Sequence, residues 1–459
     1  MVCKFHACKR WMNKLMTHVS TTQIVAIAFA LIILTGALLL TLPIASRSGI
    51  GVDFRSALFT ATSATCVTGL VLFDTWTQWS GFGQIVILCL IEIGGLGFMS
   101  AASLVIFMLG RKVGLKQRMV MAQAMSMNDV HGIVRLQKLV LFGSLSVQAA
   151  GAAILTLRFW SELGFFKALR WGIFHSISAF CNAGFDIMGS FDPGTSIMRY
   201  ATDPVVNLTL MALIVVGGLG FFVWDEVIHV RKFKKFSVYT KLVLTITAVL
   251  IVGGTAAIAL IEWNNPETIG NMAWYDKILA SSFQSVSLRT AGFAGIDQAK
   301  LTDAGKAVST GVMLIGGSSG STAGGMKTVT VVVMLLYICA RARGKETVTI
   351  YKRSIPNYQA LDAMIISMIM IMLTFLGGIY ISITSGFSFV DALFETASAL
   401  ATVGLSSGGS GNLSVSSQYL IILFMYFGRV GVLTISLGFL MGDRVQERFR
   451  YAETKLLIG

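Results

Sequence analysis

Charged residues are scarce in this chain, and their scarcity excludes whole classes of protein. Only 13% of the 459 residues are Asp, Glu, Lys or Arg, whereas 55% are hydrophobic. A soluble domain carries about 25% charged residues, and no polar stretch of this sequence is long enough to form one. The mean hydropathy of +0.75 indicates a chain embedded in lipid and excludes one that is mainly exposed to water.

Proline and cysteine are also rare. The sequence has 5 prolines and 6 cysteines but 47 glycines, many of them inside apolar runs. Glycine in apolar helices is typical of close packing or of a break within the membrane. Cys3 and Cys8 flank His6, but three such residues at this spacing make no zinc signature. The other cysteines lie in apolar surroundings, so we expect no disulfide.

Acidic residues are outnumbered by basic ones. The 36 Lys and Arg residues exceed the 22 Asp and Glu residues, which gives a net charge of +14. Such a charge could suggest nucleic acid, but the basic residues cluster between apolar runs, at 111–118, 231–241, 341–353 and 444–455. This is the positive-inside pattern of membrane proteins. It predicts cytoplasmic termini, an even number of crossings in the cell membrane, and no nucleic-acid partner.

The chain contains a fourfold internal repeat. Four segments of short polar and apolar residues each end in one glycine, and these glycines are 108 to 115 residues apart. The segments are 58–69, 173–184, 281–292 and 393–404. Chance or ordinary packing could produce one such segment, but four registered copies indicate a repeated structural unit.

Each repeated segment lies between two apolar stretches that are long enough to span a bilayer. The segment itself is too short and too polar to span, so it predicts a half-membrane helix that ends in a re-entrant loop. We therefore predict an all-α integral membrane protein with four tandem helix–pore loop–helix units, eight transmembrane helices and a pseudo-fourfold pore. The predicted divisions are an N-terminus at 1–18, units at 19–115, 116–230, 231–345 and 346–445, and a C-terminus at 446–459.

The second helix of each unit carries its own repeat. Residues 93–98 and 216–221 both read Ile/Val-Gly-Gly-Leu-Gly-Phe, whereas 316–327 contains five glycines, three serines and a threonine. The latter composition cannot continue a stable helix in lipid. We expect the third unit alone to have lost a continuous second helix, with the polar loop lying across the pore.

Re-entrant loops of this kind can conduct cations through their backbone. Buried backbone must have its polar groups satisfied or must line water. Rings of carbonyl oxygens can replace the hydration shell of a potassium ion, and glycine permits the backbone angles that such loops require. Because carbonyls do this work, the side chains beside the four glycines can differ between units.

Three segments carry a family resemblance. Arg289-Thr-Ala-Gly-Phe293, the segment at 394–405 and the polar run at 317–327 resemble the Trk/Ktr/HKT superfamily of potassium transporters. The similarity extends from about Val19 to the end and is strongest to the membrane subunit of the bacterial Ktr system. It implies a potassium-translocating subunit in the lipid bilayer, a homodimer with one pore per protomer, and a separate cytoplasmic nucleotide-binding ring.

The resemblance also implies the positions of a selectivity filter and a gate. The filter residues are Cys66, Val67, Thr68 and Gly69; Cys181, Asn182, Ala183 and Gly184; Arg289, Thr290, Ala291 and Gly292; and Ala401, Thr402, Val403 and Gly404. The gating residues are Gly316, Gly317, Ser318, Ser319, Gly320, Ser321, Thr322, Ala323, Gly324, Gly325, Lys327 and Arg429. Potassium is the implied substrate, sodium a possible activator, and we expect no tightly bound cofactor.

Several charges fall within the apolar segments and need partners. A membrane-buried charge costs about 2.5–3.5 kcal/mol on insertion scales. We expect Arg289 to turn away from the ion path and to pair with Glu395. Glu92 could form a structural ion pair or serve the pore. We expect Arg429 to donate hydrogen bonds to carbonyls of the loop in the third unit.

Two other functional classes remain alternatives. A secondary transporter also binds ions at broken helices near the midplane, although such folds usually show two repeats. An enzyme could use His175, Cys181 and Asp186, but the other units lack this set, so we expect no enzyme. A phosphate-binding loop is excluded because its motif ends in Gly-Lys-Ser/Thr, whereas Lys327 follows Met326, and because the surrounding apolar helix is the wrong context. With no nucleotide-binding motif after a predicted strand, nucleotide control would require a separate subunit.

Overall fold

Helices form nearly all the regular structure of this protein. The computed structural model describes residues 21–97, 132–345 and 347–431. The cysteines and histidine near the N-terminus and the basic segments 111–118 and 444–455 lie outside the described residues. One short antiparallel hairpin, β1 (Val348–Ile350) with β2 (Arg353–Ile355), is the exception to the helical architecture in the described ranges.

The helices follow the four predicted units in order. The first unit has α1 (Thr21–Leu40), α2 (Phe54–Thr65), α3 (Thr75–Gln78) and α4 (Gly81–Leu96). The second has α5 (Ile133–Leu163), α6 (Phe165–Phe180), α7 (Pro204–Gly218) and α8 (Phe221–Val230). The third has α9 (Val238–Glu262), α10 (Trp274–Ser287), α11 (Asp303–Met313) and α12 (Thr328–Ala342), and the fourth has α13 (Asn357–Ser385), α14 (Phe389–Leu400) and α15 (Val415–Val430). Short 3₁₀ turns lie at Pro43–Ala45, Met188–Ser190, Met198–Tyr200, Phe233–Lys235 and Ser410–Asn412.

Each unit begins with one long apolar helix. In the described part of the chain, α1, α5, α9 and α13 are long and apolar enough to cross a membrane, with hydropathy between 1.8 and 2.6. Their outward side chains are large and apolar: Leu260 is 81% exposed and Ile383 is 78% exposed. Exposed apolar surface of this extent would be unfavourable in water. These helices therefore face lipid and confirm the predicted first span of each unit.

Four shorter helices, α2, α6, α10 and α14, stand at the centre. Each contains a buried phenylalanine and a face of buried Ser, Thr and Ala. The side chains of Asp53 and Ser388 accept hydrogen bonds at the starts of α2 and α14, which fixes where these helices begin. These are the predicted pore helices, and each packs against the long helix of its own unit.

The units close into a ring through their second helices. Helix α4 packs on α6 of the second unit, α7 on α10 of the third, α11 on α14 of the fourth, and α15 on α2 of the first. The second helix of every unit thus contacts the pore helix of the next unit. This cyclic pattern is the predicted pseudo-fourfold arrangement.

The expectation that only the third unit has a broken second helix is wrong. Helices α7 and α8 meet at an angle of 96°, because Gly220 between them has φ of 91°. Helix α4 ends before Gly97, with φ of 83°, and α15 ends before Gly431, with φ of 97°. An α-helix cannot continue through such angles. The last glycine of the Gly-Gly-Leu-Gly motif therefore marks a break, not a continuous packing surface.

Candidate ion pathway between four pore loops and an intramembrane loop

The four pore loops share one unusual backbone conformation. In each loop the glycine and the residue two positions before it have positive φ, while the residue between them does not. In a regular strand, successive carbonyl groups point to opposite sides. A positive φ at every second residue instead turns the carbonyl groups of the loop toward one side. The φ values are 55° and 96° for Val67 and Gly69, 59° and 69° for Asn182 and Gly184, 67° and 81° for Thr290 and Gly292, and 52° and 99° for Thr402 and Gly404.

The four loop glycines approach one another in cyclic order. A Cβ atom added to Gly69 would lie 2.6 Å from the Ala183 carbonyl oxygen, and one added to Gly292 would lie 2.6 Å from that of Val403. Gly184 in the same way faces the loop of the third unit, and Gly404 faces that of the first. No side chain fits at these positions. The predicted filter residues are thus brought together into one closed ring of backbone.

Each loop is held by a serine of its own pore helix, which sequence reasoning missed. The Ser63 and Ser398 hydroxyls accept from the backbone N–H groups of Gly69 and Gly404, both at 3.0 Å. In the second and third units, Ser178 and Ser287 donate instead to the carbonyls of Phe185 and Phe293, at 2.7 and 2.6 Å.

The serine spacing differs in one unit. Three serines stand six residues before their glycine, whereas Ser287 stands five before Gly292. When the four segments are aligned at their glycines without gaps, Ser287 therefore stands one position later than the other three serines. The constant spacing in three units could have identified this serine, but the third unit has one residue fewer between the serine and the glycine.

The first glycine of the double-glycine pair in the first two units, and Gly428 at the matching place in the fourth, allow close packing behind the ring of loops. A Cβ atom added to Gly94, Gly217 or Gly428 would collide with the carbonyl of the residue that ends a pore helix. The second helices therefore lie directly against the helix ends that carry the loops. Such contact requires glycine because its backbone can approach another backbone without an intervening side chain.

A cavity of about 400 Å³ opens on one side of the ring. It is lined by the four loop glycines and by polar residues that include Asp74, Asp186 and Asp297. Burial, together with the nearby carboxylate of Asp74, raises the pKa of Asp186 to about 6, although the hydrogen bond from the Met188 N–H acts to lower it. The C-terminal ends of the pore helices also meet at the ring, and their partial negative charge favours a cation. The cavity and ring together form a site suited to cations.

The polar loop of the third unit, residues 314–327, lies on the opposite side of the ring. The Thr322 hydroxyl donates to the Phe180 carbonyl at 3.1 Å, at the start of the second pore loop. A Cβ atom on Gly325 would lie 3.1 Å from the Ala401 carbonyl oxygen, at the start of the fourth. Thr322 and Ala323 are almost fully buried, so the loop fills the space beneath the filter.

The second unit supplies most of the hydrogen bonds that hold this loop. The Ser318 N–H donates to the Gly218 carbonyl at 3.1 Å, and the Thr322 N–H donates to the Gly217 carbonyl at 3.3 Å. In return the Phe221 N–H donates to the Gly320 carbonyl at 2.9 Å. Gly217, Gly218 and Phe221 all flank the break between α7 and α8. The broken second unit is therefore the main docking surface of the loop.

Arg429 joins the loop to the first and fourth units. Its guanidinium donates to the Thr322 carbonyl, which is the expected contact with the loop, and also to the carbonyls of Gly94 and Gly95, the latter at 3.0 Å. Lys327 donates to the Ala323 carbonyl at 2.9 Å. Two basic side chains thus lie below the ring of loops and donate to carbonyl oxygens.

Glu92 forms hydrogen bonds and no ion pair within the described residues. The Gln148 amide donates to its carboxylate at 3.0 and 3.3 Å, and the Cys181 thiol donates at 3.3 Å. The structural ion pair, one of the two possibilities for Glu92, is therefore not found among the described residues. The Glu92 carboxylate instead contacts Cys181, the first residue of the second pore loop.

The expected pair between Arg289 and Glu395 is absent. Glu395 accepts hydrogen bonds from Ser406, from Ser410 at 3.2 Å and from the Gly408 N–H at 3.4 Å. These partners belong to the loop that follows the fourth filter segment, so Glu395 faces its own unit. Arg289 lies beside Gly317 and the second pore loop, and its Nε has no hydrogen-bond partner in the described ranges.

Comparison with known proteins supports this architecture. The family model described as "TrkH: Cation transport protein" matches residues 3–447. The Ktr system potassium uptake protein B of Bacillus subtilis is 39% identical over 437 residues, which cover 95% of this chain and 96% of the relative. The potassium/sodium uptake protein NtpJ of Enterococcus hirae is 36% identical over 447 residues, covering 96% and 97%.

A solved structure has the same fold. The crystal structure of the potassium transporter TrkH from Vibrio parahaemolyticus aligns with a TM-score of 0.72 at 18% identity. The alignment covers 93% of this chain and 86% of that one. Because the family model and the full-length relatives agree with the ring of four pore-loop units, the chain belongs to the TrkH family of cation transport proteins.

Proposed function

We propose that this protein takes up potassium across the cell membrane through the ring of four pore loops. The observation that carries the proposal is the cyclic approach of Gly69, Gly184, Gly292 and Gly404, each held in a conformation that turns backbone carbonyls inward. Carbonyl rings replace the hydration shell of potassium. Relatives that match almost the full length are named potassium uptake proteins.

The loop of residues 314–327 is the gate in this proposal. It fills the space beneath the ring and is held by hydrogen bonds, not by a continuous helix. Arg429 and Lys327 place positive charge where a potassium ion would leave the filter. Repulsion between these charges and the ion adds to the steric block. Movement of the loop would remove both obstacles.

Regulation would come from a separate cytoplasmic subunit with a nucleotide-binding ring. The basic segment at 231–241 and the hairpin of β1 and β2 carry exposed Lys and Arg side chains that such a subunit could contact. We further propose a homodimer with one pore in each protomer and termini in the cytoplasm. Sodium is a candidate activator, since one relative is named for both potassium and sodium uptake.

Potassium uptake by cells that lack their own potassium transporters tests this function. Cells expressing the protein should grow and accumulate potassium at low external concentrations, with sodium present and absent in parallel assays. Vesicles containing the purified protein should then show potassium flux that sodium does not replace. Flux that saturates at low concentration and requires a coupled ion would favour a secondary transporter. Absence of any potassium flux in vesicles with well-folded protein would refute the proposal.

A further inference from the structure

Three basic side chains converge on one tryptophan beside the ion pathway. The charged groups of Arg47, Lys167 and Arg170 lie 4.4, 5.5 and 5.7 Å from the centroid of the Trp76 ring. They come from the loop after α1 and from the start of α6, and all three side chains are exposed. Since each lies within 6 Å of the same point, the charges are close neighbours.

This cluster differs from Arg55, at the start of α2, and Arg158, near the end of α5, because those two arginines are paired with carboxylates. Arg55 lies 3.5 Å from the Asp53 carboxylate, and Arg158 lies 2.6 Å from that of Asp203. Within the described ranges, no carboxylate lies within 4.0 Å of Arg47, Lys167 or Arg170. The cluster therefore carries an excess of positive charge that the described part of the chain does not neutralise.

The surroundings attract a further negative charge. A cation–π contact at an exposed site contributes about 0.5–1 kcal/mol, which does not remove the mutual repulsion of three cations. Arg170 donates to the Gln84 side chain at 2.7 Å and lies beside the first turn of α4, a helix of 16 residues. The partial positive charge of that helix start adds to the cluster. An anion placed beside Trp76 would therefore be attracted by all three charges and by the helix start.

Exposed rings place this cluster at the level of lipid headgroups. Phe166 is 86% exposed, and Trp160 and Phe165 are 50% and 43% exposed. They adjoin Lys167 along the chain, at the end of the long helix α5. Aromatic side chains with this exposure are typical of the membrane–water interface. The ligand most compatible with both the positive charge and the exposed aromatic rings is a phospholipid, in which a phosphate group is attached to acyl chains.

We propose that Arg47, Lys167 and Arg170 bind the phosphate of an anionic phospholipid, such as phosphatidylglycerol. The bound headgroup neutralises the cluster, and its acyl chains lie against the neighbouring apolar surface. Trp76 follows Asp74 and Thr75, which line the cavity above the filter. Unneutralised, three positive charges at this position would oppose the arrival of potassium. This consequence for transport rests on the proposed function, whereas lipid binding itself does not.

Native mass spectrometry of the purified full-length protein tests the binding directly. The protein is mixed with equal amounts of phosphatidylglycerol and phosphatidylcholine, and the retained lipids are counted. We expect a preference for phosphatidylglycerol that falls by about a hundredfold in the variant carrying Arg47→Gln, Lys167→Gln and Arg170→Gln, since each basic contact strengthens binding of an anionic lipid by about fivefold. Arg55→Gln, which removes a paired arginine at the same end, should keep the preference.

Two further measurements keep the test decisive. Lys167→Glu changes a side chain that has no hydrogen bond or ion pair in the described ranges, so it should fold normally and still lower the preference. Millimolar inorganic phosphate should not displace the lipid, because a free anion has no acyl chains. Equal retention of phosphatidylglycerol by the triple variant and Arg55→Gln, or its complete displacement by inorganic phosphate, would overturn the proposal. Potassium flux is not needed for this readout.

Discussion

Replacing Arg429 with alanine should increase potassium flux through the closed protein. The guanidinium bridges the Thr322 carbonyl of the third unit and the carbonyls of Gly94 and Gly95 in the first. Arg429→Ala removes this bridge and leaves no side chain long enough to replace it. It also removes one of the two positive charges beneath the filter. Both changes favour the conducting state.

The size of the increase in flux follows from the one hydrogen bond that joins Arg429 to the loop, which the Thr322 carbonyl accepts. A hydrogen bond from a charged group contributes about 1.5–3 kcal/mol, so its loss should shift the equilibrium between closed and open loops by about ten- to a hundredfold. Thr322 keeps its hydrogen bonds to the carbonyls of Gly217 and Phe180, at 3.3 and 3.1 Å. The loop should therefore open more often without being released permanently.

The assay is potassium flux into vesicles containing equal amounts of each purified variant, with and without the regulatory subunit. Arg429→Ala should show higher flux, unchanged preference for potassium over sodium, and less dependence on the partner. Deletion within 318–324 should act in the same direction. Arg55→Ala, which removes an arginine at the far side of the filter, should leave flux unchanged. If flux fell to zero in both loop variants at normal protein levels, the loop would be a conduction site and not a gate.

Three further predictions concern the filter, the topology and the outer cavity. Gly69→Ser should lower the potassium-to-sodium uptake ratio by about tenfold, because a side chain at positive φ is strained and its Cβ would lie 2.6 Å from the Ala183 carbonyl. Single cysteines within 190–203 should react with an impermeant thiol reagent from outside, and those within 231–241 should not. Asp186→Asn should remove the decrease in potassium uptake expected as pH falls from about 7.5 to about 5, since Asp186 is charged only above a pKa of about 6.

Each of these predictions has an outcome that contradicts it. An unchanged ion ratio in Gly69→Ser would show that this glycine does not shape the filter. Labelling of both loops from outside would contradict the arrangement of eight crossings. A pH profile that is identical in Asp186→Asn and the unmodified protein would show that Asp186 is not the group responsible for the pH dependence.

Those parts of the fold that repeat could be predicted from the sequence. Four copies of a segment ending in glycine were sufficient to find the pore helices and loops, because a ring of equivalent units imposes the same backbone requirement at each glycine. The long first helices were evident from hydropathy alone. The contact between Arg429 and the polar loop was also predictable, since a buried guanidinium needs acceptors and that loop had the nearest free carbonyls.

The features that differ between units could not be found in this way. Arg289 follows the third pore helix and the oppositely charged Glu395 lies in the fourth, yet Glu395 satisfies its oxygens within its own unit. Pairing by charge alone therefore fails where local serine hydroxyls and backbone N–H groups are nearer. Ser287 does not align with the other three serines, because the third unit has one residue fewer between this serine and its glycine. The sequence predicts a continuous helix through Gly220, because the apolar stretch around this glycine is long enough to span a membrane. The sequence does not reveal that Gly220 has a positive φ.

The helix breaks explain how the polar loop, the proposed gate, is held. The last carbonyls of any α-helix have no partner within that helix. Gly94 and Gly95 lie at the end of α4, and Gly217 and Gly218 lie at the end of α7. These four carbonyls accept from Arg429 and from backbone N–H groups of the polar loop. In continuous helices the same oxygens would be bonded internally, and the loop would lose its acceptors. The Gly-Gly-Leu-Gly motif therefore serves two purposes: its paired glycines pack against the pore helices, and its last glycine frees the carbonyls that bind the polar loop.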